Sequence, residues 1–88
     1  MYNIDNLQIL GSGATATVYL LDNKRIIKVF NPEYSFDSVK YEAHLSEEIS
    51  KTSILSPKYH GMAKTNNHDA IISDYIPGDV LLTVRFIL

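Results

Sequence analysis

Leu10-Gly11-Ser12-Gly13-Ala14-Thr15-Ala16-Thr17-Val18-Tyr19 is the stretch that decides how this chain folds. Gly11 and Gly13 permit a tight turn and a close approach of the backbone to an anion. An ordinary hairpin turn would use the same residues. Two nucleotide-binding arrangements also use such a loop. In a dinucleotide-binding fold, Gly11, Gly13 and Ala16 would open a helix, and Glu33, twenty residues after Gly13, would stand near the ribose. In the other arrangement the loop joins two antiparallel strands and lies over nucleotide phosphates, with Val18 packing on the base. The residues after the loop favour the second. Thr15, Thr17, Val18 and Tyr19 suit a strand. Only about ten helical residues would fit before the Asp22-Asn23 turn, and no later βαβ pattern follows.

Working outward, the chain reads as short strands with one helix between them. Asn6–Leu10 is a short segment that stops at Gly11. Thr15–Leu21 and Arg25–Phe30 are strands joined by the turn signal Asp22-Asn23-Lys24. Asn31-Pro32 breaks the pattern. Ser56-Pro57 begins an extended run to Lys64, because the residue before proline is pushed out of the helical region. Asn66-Asn67 is a hairpin turn, since Asn tolerates positive φ. Ala70–Ile76 is the next strand, closed by Pro77-Gly78.

The helix runs from Ser35 to Lys51. Tyr41, Leu45, Ile49, Val39 and Ala43 fall in one arc, and Asp37, Lys40, His44, Glu47, Glu48 and Lys51 in the opposite one. Glu42 breaks the partition, because it projects into the apolar stripe. A carboxylate there is costly unless it meets a cation or reaches water at the margin. The strand Arg25–Phe30 has a matching oddity. Alternation sets Lys28 on one face with Ile26 and Phe30. Either residue alone has a plain explanation, a snorkelling lysine or a marginal glutamate. Together they predict an ion pair across a sheet–helix interface, which would hold the ammonium where it can meet a phosphate.

In order along nearly the whole chain, these residues resemble the N-terminal lobe of the protein-kinase-like fold. The likeness is closest to the bacterial aminoglycoside/choline-type small-molecule phosphotransferases. Gly11 to Tyr19 resembles the glycine-rich loop, with Ala16 where protein kinases commonly carry a third glycine. Ile26-Ile27-Lys28-Val29-Phe30 resembles the strand bearing the phosphate-binding lysine. Tyr41-Glu42-Ala43, fourteen residues on from Lys28 to Glu42, resembles the helix segment bearing its glutamate partner. Ser56-Pro57-Lys58-Tyr59-His60-Gly61 is similar to the start of the fourth strand. Ala70-Ile71-Ile72-Ser73-Asp74-Tyr75-Ile76-Pro77-Gly78 resembles the strand that leads into the hinge.

The resemblance implies an α+β domain, a curved antiparallel sheet of about five strands with one packed helix. It implies an ATP site made by Gly11, Ser12, Gly13, Ala14, Thr15, Val18, Ile26, Lys28, Glu42, Ser73, Asp74 and Ile76. Ser73 would stand at the back of the adenine pocket. The Asp74 carbonyl and the Ile76 N–H would bond the adenine edge. The lobe would occupy residues 1–79, and 80–88 would lead toward a second lobe. That lobe supplies a catalytic His-x-Asp, a following Asn and a metal-binding Asp, and no His-x-Asp occurs here. The chain is therefore expected to be a truncated product, a fragment or a stand-alone lobe. It would carry no catalytic residue and no metal ligand, with Mg²⁺ expected only alongside the second lobe. A non-enzymatic interaction module on the same lobe is the alternative.

Composition narrows the rest. A net charge of −2 offers no basic field for nucleic acid. No apolar run approaches the roughly 20 residues that cross a membrane, and Met1–Leu10 has neither the basic start nor the apolar centre of a signal peptide. The chain has no cysteine, which fits a reducing, cytoplasmic setting. His44, His60 and His68 lack metal-ligand spacing and read as surface or turn residues. Val80–Leu88 carries one charge among nine residues. It has the profile of an association-prone strand, so a homodimer through this segment is expected if the second lobe does not cover it.

Overall fold

The computed structural model describes residues 2–52, 57–65 and 67–75. Ser56, Asn66, Ile76, Pro77-Gly78 and Val80–Leu88, singled out above, lie outside the described residues. Five strands and one helix follow in the order β1 (Gln8–Ser12), β2 (Ala16–Leu20), β3 (Arg25–Phe30), α1 (Phe36–Ser50), β4 (Tyr59–Thr65) and β5 (His68–Asp74). They form one sheet in the order β1-β2-β3-β5-β4, and every neighbouring pair is antiparallel. The described residues are α+β, with a five-stranded antiparallel sheet and one helix. The parallel pairing of a dinucleotide-binding fold does not occur among the described residues, because Gly13 leads into a strand. No helix among them is long and apolar enough to cross a membrane.

Several boundaries move. β1 does not stop at Gly11 but runs through it to Ser12, and the irregularity falls between Ile9 and Gly11. β2 begins at Ala16, one residue late, because the loop tip includes Thr15. β5 starts at His68 and not Ala70, so the turn before it is tight, with Asn67 at φ 63°. β4 carries a bulge between Tyr59 and Gly61. Gly61 sits there at φ 121°, a conformation that a side chain would strain.

Register sorts the side chains into two faces. Gly11, Val18, Lys28, Ile71 and Met62 form one row straight across the sheet, and Leu20, Ile26, Ser73 and Tyr59 form a second. On this face Ala16, Phe30 and Ile71 pack with Val39 and Ala43 of α1. On the other face Ile27, Val29, Ala70 and Ile72 are covered by Ile4, Leu7 and their neighbours. Strand β3 is thus buried on both sides, which explains its continuous apolar run around one lysine.

The helix starts at Phe36, one residue inside the expected boundary, because Ser35 caps it. The Ser35 Oγ accepts from the Ser38 amide at 3.1 Å, satisfying one orphan donor of the first turn. At the far end the Lys58 ammonium donates to the Ser50 carbonyl at 2.8 Å, a cation placed at the negative end of the helix. The apolar arc needs correction. Tyr41 is 64% and Leu45 41% exposed, whereas Val39 and Ala43 are buried. The sheet covers only the half of that wide arc that holds Val39 and Ala43, and the half with Tyr41 and Leu45 faces water.

Candidate functional site

Lys28 lies in the middle of β3 with its side chain only 1% exposed, a cost that needs a counter-charge. The counter-charge is Glu42. The Lys28 ammonium donates to Glu42 Oε2 at 2.7 Å, across the predicted sheet–helix interface. Lys28 Nζ also lies 4.9 Å from the centre of the Phe30 ring, within cation–π range. Glu42 is partly open, at 27%, and its second oxygen is occupied as well. The Tyr34 hydroxyl donates to Oε1 at 3.1 Å. The Tyr34 ring in turn stacks on Phe30, with centres 5.2 Å apart and planes 9° apart.

Tyr34 and Phe30 were not among the residues singled out as site residues. A signal for Tyr34 was present. It is the apolar residue immediately before the capping Ser35, and Val39 stands at the facing helix position, the pattern of a hydrophobic staple. Tyr34 does pack on the cluster that contains Val39.

The glycine-rich segment is a hairpin. Gly11 pairs with Val18 and Ser12 with Thr17, so these two residues belong to β1, and the Gly13 amide closes the turn onto the Ala16 carbonyl at 2.9 Å. Gly13 and Ala14 are exposed and Thr15 is half-buried. The tip is tied down by Asn31, whose backbone N–H donates to the Thr15 carbonyl and whose Nδ2 donates to the Ala14 carbonyl, both at 2.8 Å. A hollow of about 320 Å³ opens there, lined by Ala14, Thr15, Asn31, Glu33 and Tyr34.

The structure therefore brings Gly11, Val18 and Lys28 into one row and joins Lys28 to Glu42. Ile26 and Ser73 pair directly on the same face. Val18, Ile26 and Ser73 are all buried. Asp74, at the end of β5, is engaged by Lys58, just before β4, and by His60 within it. It accepts from the Lys58 amide at 3.0 Å and bonds the His60 ring at 2.5 Å. His60 is exposed, as expected of a surface residue, and is a partner of Asp74, whereas His68 is half-buried with its ring on the Phe30 carbonyl at 3.0 Å. His44, Glu47 and Glu48 gather their ligand atoms within 4.8 Å on the exposed side of α1. All three are exposed, and Lys51 already supplies a cation to Glu48 at 3.5 Å.

Burial pulls the Lys28 ammonium below the ordinary lysine value of 10.5, and the hydrogen bond and charge of Glu42 oppose that pull. Between its folded and unfolded pKa values this lysine binds fewer protons folded than unfolded. Its contribution to stability therefore rises as the pH climbs through that interval toward 10.5, and is lost as the pH falls through the folded value. Tyr34 moves the other way. Burial first and Glu42 second lift it above 10.0, so its contribution is held below 10.0 and lost above. Urea unfolding of the wild type and Lys28→Met between about pH 7 and about pH 10 checks this. The wild type is expected to gain stability relative to the variant as the pH rises.

No family model matches the sequence, and neither the curated proteins nor the solved structures contain a significant match to it.

Proposed function

We propose that this chain is the nucleotide-binding lobe of a kinase-like small-molecule phosphotransferase, with ATP as its ligand. The observation that carries the reading is the Lys28–Glu42 pair, a buried strand ammonium held by a helix carboxylate at 2.7 Å. A cation fixed in this way is oriented before a phosphate arrives. Its row neighbours Val18 and Gly11 place the glycine-rich hairpin beside it. In this reading Val18 and Ile26 wall the adenine, Ser73 backs it, and Asp74 and Ile76 offer backbone groups to its edge. Gly13, Ala14 and Thr15 face the phosphates.

The sequence has no His-x-Asp, so the chain alone brings no recognisable base to a phosphate acceptor, and no transfer is expected from it. Because Val18, Ile26 and Ser73 are buried, a base reaches them only after their cover moves, and binding is expected to be weak. Calorimetric titration of the 88-residue chain with Mg-ATP tests the reading, with Lys28→Ala checked for folding by circular dichroism. Weak binding that Lys28→Ala abolishes supports it. Absence of binding, or equal binding by folded Lys28→Ala, contradicts it.

The burial of those three residues also favours a second reading, a non-enzymatic interaction module in which the ion pair is structural. That reading expects no nucleotide binding at any attainable concentration.

A further inference from the structure

The connection between β3 and α1 touches both halves of the candidate site. The Tyr34 amide donates to the Asn31 carbonyl at 3.0 Å, which folds Asn31 to Tyr34 into a closed turn. One end of that turn holds the hairpin tip, through the two bonds from Asn31 to Thr15 and Ala14. The other end presents the Tyr34 ring to Phe30 and its hydroxyl to Glu42. The stack fixes the ring plane, so the hydroxyl has a defined place beside Oε1. Glu42 is the partly open member of the ion pair. Left to itself, a carboxylate with access to water would divide its time between Lys28 and solvent. A second bond on its other oxygen removes that freedom.

We infer that Tyr34 is a positioning residue whose hydroxyl holds the Glu42 carboxylate on Lys28, and that the Asn31–Tyr34 turn sets the hairpin tip and the ion pair as one unit. The role in ligand binding rests on the reading of Lys28 as a phosphate-binding cation. The effect on Lys28 itself does not.

Tyr34→Phe isolates the hydroxyl, because the ring, its stack on Phe30 and its packing on the cluster that contains Val39 remain. Two readouts on the intact chain separate the possibilities. The first is the titration of the Lys28 ammonium, followed by NMR on protein labelled with ¹⁵N at the lysine side chains, with Lys28→Met assigning the signal. Glu42 is the group that raises this titration, so its midpoint is expected to fall in Tyr34→Phe and to fall further in Glu42→Gln. A purely structural tyrosine would lower the melting temperature without moving the midpoint. The second readout is Mg-ATP affinity, expected to weaken about threefold to tenfold in Tyr34→Phe, the fold-change set by the net worth of one ordinary hydrogen bond.

An unchanged midpoint in folded Tyr34→Phe overturns the inference, whatever happens to affinity. A lowered midpoint in a chain that never binds nucleotide upholds the positioning of Glu42 and overturns only the functional reading above. A lowered midpoint with undiminished Mg-ATP affinity overturns the ligand-binding role assigned to Tyr34.

Discussion

Glu42→Ala is expected to destabilise the domain by about 3 kcal/mol, measured by urea unfolding near neutral pH. Removing one partner of a buried pair leaves the other charge without its compensation, which costs roughly 3–5 kcal/mol when both are fully buried. Lys28 meets that condition at 1% exposure, whereas Glu42 at 27% does not, so the lower end of the range applies. The Tyr34 hydroxyl also loses its acceptor, which adds to the loss. A small domain has only about 5 kcal/mol or somewhat more in hand, so the variant keeps about 2 kcal/mol and is expected to unfold at a clearly lower urea concentration. The double variant Lys28→Met with Glu42→Leu is expected to recover most of the loss, because it removes both charges and keeps the volume. A Glu42→Ala protein within about 0.5 kcal/mol of wild type would show the pair to be no more than a surface contact.

Phe30→Ala is expected to cost about 4 kcal/mol, within the range for truncating a buried aromatic. Phe30 is 1% exposed and packs with Ala16, Val39, Ala43 and Ile71. Its ring also receives the Lys28 ammonium and carries the stacked Tyr34. Truncation therefore opens a cavity at the sheet–helix interface and loosens both supports of the ion pair. Phe30→Leu fills most of that space but offers no ring face. It is expected to be milder in stability while still losing the cation–π and stacking contacts. Thermal melting of the two variants beside the wild type checks the order.

The fold was legible where a local signal and a burial pattern agreed. The helix read as Ser35 to Lys51 lies within one residue of Phe36–Ser50 at each end, and the β-branched run after Gly13 became β2. Lys28 and Glu42 stood out because each was a charge among apolar neighbours, and pairing is the physical solution to both. Strand ends were less legible. Gly11 is permissive of a turn, but permission is not a signal, and the backbone there simply continues the ladder. The Gly61 bulge left no trace beyond a glycine in an extended run. Tyr41 and Leu45 were assigned to the buried stripe because they are apolar. Periodicity gives an arc, and only the packed sheet decides which part of the arc is covered. Tyr34 was missed because the segment after Asn31-Pro32 was read as a break, although its place before the helix cap was a sufficient clue.

Under the proposed function, the face carrying Val18, Lys28 and Ser73, together with the tip at Gly13 to Thr15, receives a nucleotide. Backbone amide NMR of the intact chain during titration with Mg-ATP tests it residue by residue. The account predicts saturable shifts at Gly13, Ala14, Thr15, Val18, Lys28 and Ser73, with little change at Ile27, Ala70 and Ile72 on the opposite face. Saturable shifts on that opposite face, or none at any attainable concentration, would contradict it.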